Sequence, residues 1–189
     1  MTEAEWETCT DPALMLDFVR DQASDRKLRL FAVAVTRIYI GERSLAEYRP
    51  HILQAERIAD GLSSTDLGSI YWIDGGAAQE AAYRAITEPA LRGARPSGPR
   101  KCRLLRDLFG NPFRPVAAVS SWLTSHVVSL AEEIYEQAAF DKLPSLADAL
   151  RNAGCANEAV LAHCRLMHRR EPVEHVRGCW VVDLARGEA

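Results

Sequence analysis

Residues 24–38, SDRKLRLFAVAVTRI, carry the clearest helical pattern in the chain. Ser24 or Asp25 precedes the pattern as an N-cap candidate, and Gly41 follows it as a predicted stop. Apolar side chains recur at three- and four-residue spacing, which would place them on one helical face: Leu28, Phe31, Val35 and Ile38. The segment therefore predicts an amphipathic helix that buries one face in a core.

Helical signals continue on the N-terminal side of this segment and beyond Gly41. Asp11 is predicted to cap a helix that begins at Pro12. A third helix is predicted to begin at Pro50, or at a competing capping box formed by Ser44 and Glu47, and to end at Gly61. Residues 64–88 are predicted to form two short helices, because the adjacent glycines 75 and 76 disfavour a helix interior.

The second half of the chain has the same character. The sequence signals there predict four further elements: a helix from about Lys101 to Phe109, a long helix capped by Thr124, a helix opened by Pro144 or Ser145, and a helix from Asn157 to about Arg165. The segment from Cys179 to Ala185 fits either a short helix or an extended segment.

Together these patterns predict an all-α fold, an irregular bundle of about seven to nine helices in one compact domain over residues 1–189. Residues 89–99 are rich in Pro and Gly and lack apolar periodicity. We expect them to form an exposed loop that joins two halves, residues 1–88 and 100–189.

Composition places the chain among ordinary folded proteins. Of its 189 residues, 48% are hydrophobic and 26% are charged, and the formal net charge is -3. This charge provides no general attraction to nucleic acid or to an acidic membrane. No apolar run approaches the roughly 18 residues that a membrane span requires, and the acidic opening differs from the basic start of a signal peptide. We therefore expect a cytoplasmic protein with no membrane partner.

Three blocks of sequence form a specific fingerprint: MTEAEW at residues 1–6 with SDRKLRLFA at 24–32, LRDLFGNPFRP at 105–115, and HVRGCWVVD at 175–183. In these blocks the chain resembles a large paralogous family of uncharacterised bacterial proteins. The resemblance implies that the blocks belong to one unit, and it carries no particular activity or cofactor with it. Relatives often have cysteines after the Leu-Phe-Ala of the second helix, where this chain has Val33 to Thr36. A thiol site at that helix is therefore excluded here.

The central block predicts a rigid turn. Phe109 and Phe113 are expected to anchor it in the core, while Arg106, Asp107 and Arg114 tie helix ends through charge-assisted hydrogen bonds. The tryptophans are likewise expected to act as core or interface anchors: Trp6, Trp72, Trp122 and Trp180.

A candidate metal site lies near the C-terminus. The chain has five cysteines, an odd number, and no export signal, so reduced thiols are expected. Zinc prefers thiolate and imidazole ligands, and five such residues are clustered here: Cys155, His163, Cys164, His175 and Cys179. Their spacing matches no standard zinc finger. The alternative is that the cysteines pack as small apolar side chains and that the chain holds no cofactor.

A catalytic interpretation uses part of the same segment. Cys179 would be the nucleophile, His175 the base and Asp183 the group that orients it, because four-residue spacing places all three on one helical face. The apolar neighbours of Cys179 favour a different interpretation, in which the segment is a buried part of the core.

A basic stretch precedes the central block and is a candidate for binding phosphates: Arg92, Arg95, Arg100, Lys101, Arg103 and Arg106. The stretch lacks interleaved aromatic residues, and the chain has no recognisable nucleic-acid-binding motif. We therefore interpret it as a solvated loop that leads into a helix, with nucleic acid disfavoured as a partner.

The common enzyme signatures are missing from the sequence. There is no phosphate-binding glycine loop, dinucleotide fingerprint, His-Glu-x-x-His motif or Gly-x-Ser-x-Gly elbow. The leading hypothesis is a non-catalytic interaction or regulatory module whose partner is another protein. The alternatives are a small thiol- or zinc-dependent enzyme that uses the C-terminal Cys/His cluster, and nucleic-acid binding through the basic stretch.

Overall fold

The computed structural model describes residues 1–63, 78–87, 97–165 and 175–188. Within these ranges there are nine α-helices and no β-strand, which confirms the all-α prediction. The helices are α1 (Glu3–Thr8), α2 (Pro12–Val19), α3 (Asp25–Ala59), α4 (Ala78–Thr87), α5 (Gly98–Phe109), α6 (Ser125–Gln137), α7 (Leu143–Asn152), α8 (Glu158–Arg165) and α9 (Trp180–Arg186). Two short 3₁₀ helices, Ser120–Trp122 and Phe140–Lys142, precede α6 and α7.

The chain divides into two compact units, an N-terminal unit of residues Met1–Phe113 and a C-terminal unit of residues Arg114–Ala189. The sequence placed a division at residues 89–99 instead. Most of that loop lies outside the described residues, but Gly98 and Pro99 belong to the first turn of α5, capped by Ser97. The loop prediction was therefore wrong at its C-terminal end, because Ser97 and Pro99 together favour helix initiation. That the chain is a single domain stays a prediction.

Helix α3 differs from the two helices predicted for this region. Its backbone is helical from Asp25 to Ala59, so Gly41 does not end it and Pro50 does not begin a new one. A straight helix would separate residues 37 and 56 by about 28 Å, yet Arg37 Nη1 lies 2.8 Å from Glu56 Oε1. The segment therefore does not run straight. Its first arm, which carries Arg37, lies against its second arm, which carries Glu56. Packing between its two arms, with Val33 against Ile52 and Ala55, offsets the cost of the two helix breakers.

Helix starts were predicted well because their signals are local. Asp11, Ser24, Thr124 and Asn157 each accept a hydrogen bond from a backbone N–H of the first turn that follows. Helix α1 was missed, although Thr2 and Glu5 form a capping box. The Thr2 backbone N–H donates to Glu5 Oε2 at 2.7 Å, and this hydrogen bond lowers the pKa of the Glu5 carboxyl group.

In the N-terminal unit, Trp6 connects α1 to the end of α5. Trp6 is 1% exposed, and its Nε1–H donates to the carbonyl of Gly110 at 3.1 Å. In return, Arg106 donates from Nε and Nη2 to the carbonyl of Trp6 at 3.0 and 2.6 Å, and from Nη2 to that of Cys9 at 2.8 Å. Arg106 therefore ties the end of α1 to α5, as predicted from the sequence.

The central block also behaves as an anchor. The rings of Phe113 and Phe18 stack with their centroids 5.0 Å apart, and Asn111 Nδ2 donates to Glu3 Oε1 at 2.7 Å. Gly110 has a φ of +64°, a conformation that a residue with a Cβ adopts only with strain. The Gly-Asn-Pro turn is thereby fixed against the first helices of the unit.

The start of α5 approaches the segment between α1 and α2 very closely. A Cβ atom added at Gly98 would lie 2.5 Å from the backbone carbonyl oxygen of Thr10. We expect Gly98→Ala to destabilise the N-terminal unit by about 1–3 kcal/mol through overpacking, although Ala normally stabilises a helix relative to Gly by about 1 kcal/mol. Urea denaturation followed by far-ultraviolet circular dichroism measures this. A more stable variant would contradict the close approach.

The C-terminal unit has a continuous apolar core. Its fully buried members come from α6, α7, α8, α9 and the segments beside them, and they include Ile134, Leu146, Leu161, Val181 and Val182. The stripe predicted for α6 is buried at Val127, Ala131, Ile134 and Tyr135. Ala138 is exposed in a left-handed conformation just after the helix, so its assignment to the stripe was wrong.

The C-terminal segment from Cys179 to Ala185 is helical: Cys179 precedes α9, and the helix runs from Trp180 to Arg186. None of the described helices combines the length and apolar character that a bilayer crossing demands. The predictions for residues 64–77, including the break at glycines 75 and 76 and the role of Trp72, lie outside the described residues.

Candidate metal centre

Two segments of the C-terminal unit bring three metal-ligating side chains together. His163 lies on α8, and His175 and Cys179 belong to the turn that precedes α9. One potential ligand atom from each residue lies within 4.8 Å of the others. Cys179 is fully buried, and the two histidines are partly buried. The three residues therefore form a compact set of two imidazoles and one thiol, which we call the His-His-Cys cluster.

A glycine-dependent turn accounts for the position of His175 beside Cys179. The backbone N–H of Cys179 donates to the carbonyl of Val176 at 2.9 Å, which closes a four-residue turn. Gly178, the third residue of this turn, has a φ of +87°. Glycine is favoured at this position because a positive φ is strained for residues with a Cβ. The turn reverses the chain, so His175 and Cys179 converge without sharing a helix.

Arg177 and α9 hold this turn against α6. Arg177 Nη2 donates to the carbonyl of Glu136 at 3.1 Å, and its guanidinium carbon lies 4.8 Å from the centre of the Tyr135 ring. Arg186 also lies over that ring, at 3.8 Å, and its Nε donates to Glu132 Oε2 at 3.1 Å. Cation–π contacts to one buried aromatic ring thus fix the segments on either side of Cys179.

Hydrogen bonds determine the tautomer of His163. The Trp180 Nε1–H lies 3.1 Å from His163 Nδ1, and indole nitrogen is only a donor, so Nδ1 must accept. A neutral His163 then carries its proton on Nε2, which lies 3.2 Å from Cys179 Sγ. The proton of Nε2 therefore points at the sulfur. Trp180, His163 and Cys179 form a directed chain of hydrogen bonds.

This chain of hydrogen bonds has a consequence for metal binding. A histidine that binds a metal through Nε2 carries its proton on Nδ1 and donates it to an acceptor. In this structure Nδ1 of His163 faces a donor, the Trp180 indole. Binding through Nε2 must therefore move the proton to Nδ1 and break the hydrogen bond from Trp180. The state of the Trp180 N–H thus reports directly on occupation of the cluster.

The structure brings together three of the five residues predicted as metal ligands. Cys155 and Cys164 are buried members of the apolar core of the C-terminal unit, and they are not part of the His-His-Cys cluster. The surroundings of these two cysteines agree with the alternative interpretation, in which cysteines pack as small apolar side chains. Cys164 faces the core because α8 buries Val160, Leu161 and Cys164 on one side, which leaves His163 at the edge.

The geometric basis of the catalytic hypothesis was wrong. Helix α9 begins at Trp180, so His175, Cys179 and Asp183 do not lie on one helical face. The Cys179 sulfur lies 3.2 Å from Nε2 of His163, a residue outside the hypothesis, and Asp183 Oδ1 lies 3.7 Å from Arg186 Nη1. A turn in place of a helix changes which groups meet, because four-residue spacing aligns side chains only on a helix.

The basic stretch is only partly a solvated surface. Arg92 and Arg95 lie outside the described residues, and the remaining four cations are on α5. Lys101 is 6% exposed, donates to the carbonyl of Ile86 at 3.1 Å and lies 5.4 Å from the centre of the Tyr39 ring. Arg106 binds the carbonyls of Trp6 and Cys9. Two of the four therefore stabilise the N-terminal unit itself. Arg100 and Arg103 are partly buried.

Sequence reasoning missed two features of the cluster. It placed His163 among the ligands but did not pair it with Cys179, which follows it by 16 positions. It treated Trp180 only as a core anchor, although the N–H of a partly buried indole usually finds an acceptor. The turn itself had a visible signal, since Gly178 immediately before Cys179 indicates a positive φ where a helix was assumed.

The chain was compared with protein-family models, curated proteins and solved structures. No family model, curated protein or solved structure matches the chain.

Proposed function

We propose that the C-terminal unit binds one transition-metal ion of the zinc class through the His-His-Cys cluster, and that this ion has a structural role in a non-catalytic protein. The observation that carries the proposal is the convergence of His163, His175 and Cys179 to within 4.8 Å. Thiolate and imidazole are the ligands that zinc prefers among protein side chains. A fourth ligand, such as water, would complete a tetrahedral set.

The burial of the thiol supports a structural role over nucleophilic catalysis. Cys179 is fully buried, whereas a nucleophile must reach its substrate. The cluster is therefore better suited to hold an ion than to activate a thiol for attack.

The position of the cluster indicates what an ion would do. His163 lies on α8, while His175 and Cys179 lie beyond residues 166–174 in the sequence. An ion bound to all three would tie the end of α8 to the start of α9, because metal ligation links positions that are separated in the sequence. In this proposal the metal fixes a helical surface, and the chain recognises another protein, the role expected from the absence of enzyme motifs.

The experiment is zinc binding to untagged protein, measured by native mass spectrometry after removal of excess metal. We expect one zinc per chain, and loss of stoichiometric binding in both His163→Ala and Cys179→Ser. Cobalt substitution should give a thiolate charge-transfer band that disappears in Cys179→Ser. In a ¹⁵N-labelled protein, zinc should shift the indole N–H resonance of Trp180 but not that of Trp122.

Cys155→Ala is the matched control, because it removes a buried cysteine of the same unit from outside the cluster. It should bind zinc like the parent chain. Absence of bound zinc in the parent chain, or equal binding in Cys179→Ser, would refute the proposed centre. Preferential binding of copper would keep the site and change the metal, since two histidines and one cysteine also suit copper.

A further inference from the structure

The N-terminal unit contains a pair of thiols that the proposed metal centre does not use. Cys102 is buried on α5, and Cys9 follows α1 and is partly exposed. Cys9 donates its thiol proton to the carbonyl of Asp11, with a sulfur–oxygen distance of 3.3 Å. Cys102 lies one helical turn from both Gly98 and Arg106, the two residues of α5 that contact the backbone of Cys9 and Thr10, so it faces this segment. The charge of Cys9 raises the pKa of Cys102, which is consistent with this closeness.

The backbone around Cys9 is held in place against α5. Arg106, one turn beyond Cys102, donates to the carbonyl of Cys9 at 2.8 Å. The neighbouring carbonyl of Thr10 lies so close to Gly98 that it leaves no room for a Cβ there. The closeness of the two thiols is therefore part of the fold of the unit and does not depend on one side-chain rotamer.

Solvent reaches this pair from one side. A surface cavity of about 580 Å³ is lined by Cys9 together with Met1, Glu5, Thr8, Leu14, Asp17 and Phe18. Leu14 is 57% exposed beside it. A small molecule in the cavity would thus contact Cys9, while Cys102 is fully buried.

We propose that Cys9 and Cys102 form a reactive dithiol site that exchanges with low-molecular-weight disulfides entering this cavity and closes to an intramolecular disulfide. In the first step the Cys9 thiolate attacks one sulfur of the small disulfide. A mixed disulfide forms on Cys9, and the other half leaves as a thiolate that takes up a proton.

In the second step Cys102 gives its proton to solvent and attacks the sulfur of Cys9. The Cys9–Cys102 bond forms, the bond from Cys9 to the small group breaks, and a second small thiol leaves. Two protein thiols are oxidised and one small disulfide is reduced to two thiols, so electrons and protons balance. No metal or other co-reactant is required.

The two steps should differ in their dependence on pH. Burial, and next the charge of Cys9, raise the pKa of Cys102 from 9.0 to about 12. Its reactive thiolate is therefore scarce at neutral pH, and the fraction of thiolate rises about tenfold for each pH unit below that value. The mixed disulfide on Cys9 should accumulate near pH 7 and convert to the internal disulfide faster as the pH rises.

The test uses the full chain and 2-hydroxyethyl disulfide as the probe, without oxygen, over a series of pH values. Acid quenching, intact mass spectrometry and peptide mapping follow both steps. We expect a mixed disulfide at Cys9 first, and then a Cys9–Cys102 cross-link with the mass loss of two hydrogens. The rate of the second step should increase about tenfold per pH unit.

Two variants separate the steps. Cys102→Ala, or the nearly isosteric Cys102→Ser if alanine disturbs folding, should stop at the mixed disulfide. Cys9→Ala should leave Cys102 unmodified while the chain is folded. A mixed disulfide on Cys9 that never converts to the cross-link at any pH would overturn the proposal. Modification of Cys102 at an undiminished rate in Cys9→Ala would also overturn it.

Discussion

Replacing Trp6 with alanine is expected to lower the free energy of unfolding of the N-terminal unit by about 3–5 kcal/mol. Trp6 is 1% exposed, so its removal leaves a large cavity beneath α1. It also removes the donor that satisfies the Gly110 carbonyl. Urea denaturation, followed by far-ultraviolet circular dichroism so that the loss of an indole does not affect the signal, measures this change.

Trp6→Phe separates the two contributions to that loss. Phenylalanine retains most of the apolar contact, including the tilted ring contact with Phe18 at 6.2 Å, but cannot donate a hydrogen bond. We expect it to cost about 1–3 kcal/mol, the usual penalty for leaving one buried polar group without its partner. If Trp6→Ala cost less than about 1 kcal/mol, far below the usual effect of such a truncation, Trp6 would not be an anchor of this unit.

Zinc is expected to stabilise the C-terminal unit by about 2.7 kcal/mol when its free concentration is 100 times the dissociation constant. This result rests on the proposed metal centre. Ligand binding to the folded state alone produces the effect, because the unfolded chain does not hold His163, His175 and Cys179 together. Thermal or urea denaturation with zinc and with a chelator gives the difference. The gain should shrink in acid, since protons compete for the thiolate and imidazole ligands.

Cys179→Ser should abolish the zinc-dependent gain and make the two denaturation curves coincide. Cys155→Ala serves as the control: it should lower stability in both conditions, because it empties part of the core, but retain the gain. A zinc-dependent gain that survives in Cys179→Ser would mean that other groups bind the ion. Cys9→Ala is tested alongside. If this variant keeps the zinc-dependent gain in stability, Cys9 of the N-terminal unit is not the group that binds the ion.

The sequence predictions were accurate where an interaction joins residues that are close in the chain, and they were wrong where it joins distant ones. Thr124 and Asn157 were identified as caps because a cap bonds to a backbone N–H two or three residues away. Gly41 and Pro50 were misjudged as helix ends. The backbone is helical at both residues, yet Val33 packs on Ile52 and Ala55, so the chain reverses direction between the two arms. A tertiary contact, which no local stop signal describes, determines the course of this segment.

The candidate site shows the same dependence on range. Its residue types were predicted, and all three members of the His-His-Cys cluster were among the five proposed ligands. Their grouping was predicted only in part: an assumed helix over residues 175–183 placed His175 and Asp183 beside Cys179, and His163 was not paired with them. The turn at Gly178 replaced that helix and left His163, from a separate element, as the partner of the cysteine sulfur.

The sequence by itself determined the all-α class, most helix starts and the inventory of thiols and imidazoles, because periodicity and capping act over a few neighbouring residues. Only the tertiary structure decided which of those groups meet. His163 meets Cys179, and Arg106 binds the carbonyl of Cys9, through the packing of elements far apart in the chain. Such contacts depend on how buried faces fit together, which no local pattern specifies.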